Sequence, residues 1–227
     1  DLDVVAAFKK LIALYPTAFR YLWFHRETGI WMGATPEQLI KANDKQFNTV
    51  ALAGTQAFSG NEQVEWQQKE IAEQQFVTDF ISESLMSSAS GMTFSDSYTA
   101  KAGNLLHIKT DIQGTLNTDA SLEEVLKVLH PTPAVCGFPK ADAKEFITAN
   151  EGYDREFYSG FLGELNKDFA NDKKASELYV NLRCMKIDDN NAHLFIGCGI
   201  TKDSIPENEF TETVNKSLTM KKVLNSL

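Results

Sequence analysis

The sequence predicts an α+β protein in which antiparallel sheet is layered against packed helices. Three observations carry that expectation. Compact turn signals separate short apolar segments at Glu27-Thr28-Gly29, at Asn43-Asp44-Lys45 and between Asp188 and Asn191. Long stretches at about residues 62–88 and 206–225 carry helical patterning. No internal repeat, linker or low-complexity tract interrupts a chain of 227 residues that is 43% apolar, enough for one sizeable core. That length leaves one domain or two open, and with no linker residues 1–227 are taken as a single domain.

Taken in order, Asp1 or Asp3 caps a first helix with Val4, Phe8, Leu11, Ile12 and Tyr15 on one face, ended by Tyr15-Pro16. Residues 18–25 and 30–33 read as a hairpin. Thr35-Pro36-Glu37 has the form of a helix start: a cap, a proline at the first helical position and an acid in the first turn. Strands at about 39–43 and 46–53 follow, finishing at Leu52-Ala53-Gly54-Thr55. The long helix at about 62–88 offers Val64, Ile71, Phe76, Phe80, Ile81 and Leu85 for burial. Residues 92–99 and 104–114 read as a strand pair with His107 on the second strand. Ser121 and Glu124 form a capping box for a helix over 122–129. The segment 130–137 is too proline-rich for an element interior. A helix at about 139–150 leads to three antiparallel strands, 156–165, 177–187 and 193–200. The closing helix is opened by Ser204 or Asp203, with Pro206 in its first turn.

A net charge of −9 argues against nucleic acid or an anionic membrane as partner. It leaves room for a small anion, because a local cation overrides the global field. The three cysteines, Cys136, Cys184 and Cys198, are far apart and lack C-x-x-C spacing. A disulfide framework or zinc site is not expected; a reducing compartment, the cytoplasm, is. No apolar run has membrane-spanning length and no signal peptide is visible.

The chemistry-bearing residues concentrate at the C-terminal end. An apolar strand (Leu194 to Ile196) runs into Gly197-Cys198-Gly199, and on the helix beyond it Glu209, Glu212 and Lys216 share one stripe. Two carboxylates and an ammonium beside glycines with exposed N–H groups can hold a divalent cation together with an anionic ligand. Alone, such a pair reads as a solvated acidic face. A second pair, Glu70 and Glu73, lies far upstream, and the four can converge only if the two helices are neighbours. A di-iron centre would require Glu-x-x-His motifs that the chain lacks, so one hard cation such as Mg²⁺ fits better. Arg183 reads as a strand residue whose fork suits a carboxylate, although a sheet arginine is more often a surface charge. His107 in isolation reads as a satisfied or solvent-facing histidine.

Several segments together carry a resemblance. Gly-Ala-Thr-Pro-Glu-Gln-Leu (33–39), Leu-Ala-Gly-Thr (52–55), Lys-Glu-x-x-Glu (69–73) and His-Pro-Thr-Pro-Ala-x-x-Gly-x-Pro (130–139) are similar to the chorismate-utilising enzymes. So are Tyr-Asp-Arg-Glu-x-Tyr-x-Gly (153–160), Arg-Cys (183–184), Gly-x-Gly-Ile (197–200) and Glu-x-x-Glu-Thr (209–213). The match spans nearly the whole chain in family order. Within the family it looks most like isochorismate synthase, because the His-Pro-Thr-Pro-Ala segment replaces the Gly-Thr/Ser-x-x-Gly-Ala-Pro-Lys version typical of anthranilate and aminodeoxychorismate synthases.

The resemblance implies the chorismate-binding, anthranilate synthase-like fold. It also implies a reaction in which water adds at C2 of chorismate while the C4 hydroxyl departs with a proton. On that reading Glu37 is the general acid, and Glu73 and Glu212 are Mg²⁺ ligands with Glu70 and Glu209 beside them. Arg183, the backbone of Gly197, Gly199 and Ile200, and Lys216 clamp the pyruvyl carboxylate. Gly54, Thr55, His107 and Ala134 line the pocket. An acid in a first helical turn is stabilised as the anion, so burial or the nearby carboxylates of substrate must outweigh the dipole if Glu37 is to stay protonated near neutral pH.

The family's general base is a lysine in a Lys-Val-Val-Leu-like strand, and neither Lys9 nor Lys10 matches it. The expectation is a domain truncated at its N-terminus, partnered by the missing segment and unable by itself to turn over chorismate. Salicylate synthase and amine-transferring relatives are close alternatives, and a silent anion-binding domain on the same fold is a distinct one. The same chemistry serves menaquinone and siderophore synthesis, which these residues do not separate.

Overall fold

The structure, a computed structural model, describes residues 2–188 and 191–225. Helix α1 (Val4–Leu14) leads into strands β1 (Phe19–His25), β2 (Gly29–Thr35), β3 (Gln38–Asn43) and β4 (Gln46–Ala57). Helix α2 (Gln68–Leu85) is followed by β5 (Ala89–Phe94), β6 (Tyr98–Ala102) and β7 (Leu105–Leu116). Then come α3 (Leu122–Leu129), α4 (Lys140–Asn150), β8 (Phe161–Glu164), β9 (Ala175–Val180), β10 (Cys184–Ile187), β11 (Ala192–Phe195) and α5 (Pro206–Leu224).

Two antiparallel sheets result. The smaller has the order β1-β2-β10-β11; the larger runs β5-β7-β4-β3-β9-β8, with β6 also paired to β7. Helices α1 and α5 cover the smaller sheet, burying Ala7, Leu11, Met32, Met185, Met220 and Val223 together. Helices α2 and α3 cover the larger one over Ile40, Phe47, Ala51, Val77, Ile81, Leu85 and Ile112. This is the layered α+β architecture that the turn and helix signals predict.

The chain passes between the sheets at Thr35-Pro36-Glu37 and returns at Asn181-Leu182-Arg183. The two crossings are laced together. The Ala34 N–H donates to the Arg183 carbonyl at 3.2 Å, and the Val180 N–H donates to that of Glu37 at 2.9 Å. The Thr35 hydroxyl donates to the Val180 carbonyl at 2.6 Å and accepts from the Glu37 N–H at 3.3 Å.

Several element boundaries differ from the sequence reading. Thr35-Pro36-Glu37 opens no helix: it joins β2 to β3, where a proline's missing N–H and fixed φ suit a break between two ladders as well as a helix start. The continuous strand expected over 177–187 is divided between the two sheets, so Arg183 lies in the crossing, at φ +50°, and not on a strand. The segment 92–99 is likewise split between β5 and β6, and 156–165 and 193–200 shrink to β8 and β11. Helix α2 starts at Gln68, and its buried stripe is Gln74, Val77, Ile81 and Leu85, leaving Ile71 and Phe76 exposed. Asp3 caps α1 and Ser121 with Glu124 closes the capping box of α3. Ile12 is exposed on α1. At α5 neither Ser204 nor Asp203 acts as the cap, which is Ile205. Asp1 and residues 189 and 190, on which the expected cap and the expected 188–191 turn partly fall, lie outside the described residues, as do residues 226 and 227.

Candidate active site

Glu37 emerges from the first crossing into the interior and is buried. Its neighbours are the Arg183 guanidinium from the second crossing, Lys216 from α5 and the Thr132 hydroxyl from the 130–137 segment. Burial pushes its carboxyl up to about 7, against the pull of Arg183, Lys216 and Thr132. With no helix behind it, the dipole expected to hold it anionic is absent.

His107 on β7 is buried beside Arg183. Its Nδ1 lies 2.9 Å from the Gly54 carbonyl, to which it must donate, and 3.3 Å from the Thr55 hydroxyl. Nε2 is then the acceptor, 3.5 Å from an Arg183 nitrogen. Burial, reinforced by the charges of Arg183 and Lys216, drives the imidazole down to about 3, so it stays neutral. Gly54 belongs to a bulge in β4 at φ +68°, and a Cβ there would come within 2.9 Å of the Glu70 side chain. The strand thus approaches α2 as closely as glycine allows.

The 130–137 segment is held from both sides. The His130 ring donates to the Ser159 carbonyl at 2.8 Å, Lys140 donates to the His130 carbonyl at 2.8 Å, and Arg155 donates to the Val135 carbonyl at 3.1 Å. This sets Thr132 against Glu37 and packs Ala134 onto the larger core.

Helices α2 and α5 bring their acidic pairs to one place. Lys69 makes a short ion pair with Glu209 and lies 3.6 Å from Glu73. Lys216 pairs with Glu212 at 2.5 Å and donates to the Gly197 carbonyl at 3.0 Å. Burial raises the Glu73 carboxyl, and Glu212, Glu209 and Glu70 add to the rise against the opposing pull of Lys69. For Glu209 burial is outweighed by Lys69 and Ser204, and its carboxyl sits below the usual range. Arg183 feels both Glu212 and Glu37, which links the acidic cluster to the buried acid. Gly197 abuts the Tyr158 hydroxyl, 2.6 Å from where a Cβ would stand, whereas Gly199 faces open space and Ile200 is largely in solvent.

Sequence reasoning assigned no role to Lys69, Thr132 or Tyr158. Lys69 was legible as the i−4 partner of Glu73, but its tie to Glu209 spans 140 positions and has no local signal.

The donor chemistry around α2 and α5 fits a hard cation. Glu70 Oε2 and Glu73 Oε1 are buried without a hydrogen-bond partner, and every candidate ligand is a carboxylate. Among the described residues no group of three or more His, Cys, Asp or Glu side chains is arranged as it stands to hold a metal.

A family model described as chorismate binding enzyme matches residues 1–225. The chain belongs to the chorismate-binding enzyme family. As a member of that family, it is 29% identical over 228 residues to isochorismate synthase EntC of Escherichia coli, covering 96% of this chain and 57% of that protein. It is 31% identical over 211 residues to the salicylate biosynthesis isochorismate synthase of Pseudomonas aeruginosa, covering 89% and 43%. The solved structure of MenF, the menaquinone-specific isochorismate synthase from Escherichia coli, superposes with a TM-score of 0.87 at 28% identity, over 98% of this chain and 52% of that one. Anthranilate synthase component I from Streptococcus pneumoniae, at 22% identity and a TM-score of 0.82 over 97% and 50%, shares the fold. The chain spans about half the length of the curated relatives it matches. None of its described helices is long and apolar enough to cross a membrane.

Proposed function

We propose that this chain carries the acid and carboxylate-binding half of an isochorismate synthase active site. The observation that carries this reading is the buried Glu37, which keeps a proton near neutral pH within reach of the buried Arg183 guanidinium. A general acid needs its pKa near the working pH, and a dicarboxylate substrate needs a cation beside that acid.

In the reaction, Glu37 gives its proton to the C4 hydroxyl of chorismate, which leaves as water. A second water adds at C2 and loses its proton to a base, so the ring is transposed without net gain or loss of atoms. Arg183 and Lys216 bind the pyruvyl carboxylate with the backbone of Gly197, Gly199 and Ile200. The neutral His107 takes no proton from Glu37. It keeps Arg183 in place through Nε2, and with Gly54, Thr55 and Ala134 it lines the pocket.

Glu73 and Glu212, with Glu70 and Glu209 beside them, would hold Mg²⁺, which supplies Lewis-acid polarisation of the ring carboxylate when bound. No lysine in residues 1–227 matches the base motif of the resemblance. The base is therefore proposed to come from sequence outside these residues, and the 227-residue chain alone is expected not to turn over chorismate.

The test is product analysis of the complete protein with chorismate, Mg²⁺ and, separately, ammonia. Isochorismate as the sole product supports the reading. Release of pyruvate with salicylate, or ammonia-dependent anthranilate or aminodeoxychorismate, overturns the isochorismate assignment. Failure of the complete protein to bind chorismate with or without Mg²⁺ overturns the enzymatic reading altogether.

A further inference from the structure

The acidic cluster between α2 and α5 already contains a cation of its own. Four carboxylates, Glu70, Glu73, Glu209 and Glu212, are met by two ammonium groups, Lys69 and Lys216, leaving two negative charges. The lysines are placed differently. Lys216 stays on α5, paired with Glu212 and tied to the Gly197 carbonyl at 3.0 Å. Lys69 reaches across, bonding Glu209 of α5 while lying 3.6 Å from Glu73 of its own helix. Its ammonium stands between carboxylates of both helices, Glu73 on α2 and Glu209 on α5. Glu209 is buried, so an ion held there is poorly screened by solvent. An ammonium is a compact point charge on a flexible stem, suited to moving aside without rearranging the helices.

We propose that Lys69 is the resident counter-ion of this cluster, and that a divalent cation binds by displacing its ammonium. Lys69 then sets the affinity of the site for divalent cations, and its release frees Glu73 and Glu209 together. The proposal rests on the metal-binding reading given above.

The experiment compares the complete wild-type protein with Lys69→Met and Lys69→Gln, using Mn²⁺ as probe in calorimetry and electron paramagnetic resonance, and Mg²⁺ in competition. Both neutral variants should bind Mn²⁺ about tenfold more tightly than wild type or better. Both should melt at lower temperature than wild type without metal and gain more on its addition. Lys69→Arg, which keeps the charge, should bind no more tightly than wild type. In the wild type, the Lys69 Nζ resonance should shift on Mg²⁺ addition as its carboxylate partners leave. Wild-type binding that is unchanged or weakened in the neutral variants overturns the role of Lys69 while leaving the metal reading intact. If neither wild type nor variants bind a divalent cation, both readings are overturned. Should one neutral variant fail to fold, the other and the wild-type resonance decide.

Discussion

Replacing Glu37 by glutamine removes a carboxyl that the fold holds near neutrality, and the consequence for stability can be worked out. The folded-state value is about 7 against an ordinary 4.5. Below pH 4.5 the carboxyl is protonated whether the chain is folded or not, and contributes nothing. Between 4.5 and 7 the unfolded chain releases the proton and the folded chain keeps it, so stability falls as pH rises. Above pH 7 both states are ionised, and the folded state carries the full penalty of about 3 kcal/mol. Glu37→Gln should therefore be more stable than wild type by about 3 kcal/mol at pH 8, raising the melting temperature by about 6–12 °C in a chain of this size. The advantage should shrink toward zero near pH 4.5. The assay is urea or thermal unfolding of both proteins at pH 5 and pH 8, taking the difference so that other titrating groups cancel. A difference independent of pH would refute the argument, because the acid would then not be held protonated by burial. If Glu37 is the acid proposed above, the same variant should lose turnover in the complete protein, an exchange of activity for stability.

The buried imidazole titrates in the opposite sense. His107 is depressed from 6.5 to about 3, so the stability it permits is present above pH 6.5 and is lost as pH falls toward 3. At pH 5 it should cost the wild type about 2 kcal/mol relative to pH 8, a loss that His107→Asn does not show in paired urea unfolding curves. Gly54→Ala forces a side chain into the left-handed region and against Glu70, within 2.9 Å of its Cβ. It should lower stability by about 2 kcal/mol in thermal melts and, by pushing α2 outward, weaken Mn²⁺ binding more than an equally destabilising core truncation such as Ile81→Ala.

Much of the architecture is written in local chemistry. The Ser121 and Glu124 reciprocal cap, the Asp3 cap and the hairpin turns each depend on residues within a few positions, and they read correctly from sequence. The misreadings share one cause, which is that long-range pairing decides between local options of equal quality. Thr35-Pro36-Glu37 satisfies the rules for a helix start, yet Pro36 also ends a ladder well, and the bonds from Ala34 to Arg183 and from Val180 to Glu37 choose the second. The apolar alternation over 177–187 hides the break at 181–183, which Asn181 enforces. It accepts from the Tyr21 hydroxyl at 2.6 Å and donates to the Phe157 carbonyl at 2.9 Å. On α2, Phe76 outranks Gln74 on any hydropathy scale. Gln74 is nonetheless the buried residue, because its amide finds the Thr78 and Thr110 hydroxyls at 2.9 Å.

The position of Glu37 follows from the same competition. Where a chain leaves one sheet for another, neither ladder satisfies its backbone, and neither hydrophobic core claims its side chains. At the crossing the backbone is satisfied by the Thr35 hydroxyl and by the return crossing, which leaves the side chains of Glu37 and Arg183 free to enter the same interior space. Had residues 35–37 begun a helix, the acid would have met the positive end of a dipole and solvent, and remained an anion. Burial between two sheets instead raises the carboxyl to about 7, and the pull of the Arg183 guanidinium is insufficient to keep it ionised. The tuning of the proposed catalytic acid is thus a consequence of topology, which is why a local pattern reads Glu37 as a first-turn acid and carries no sign of the burial that raises it.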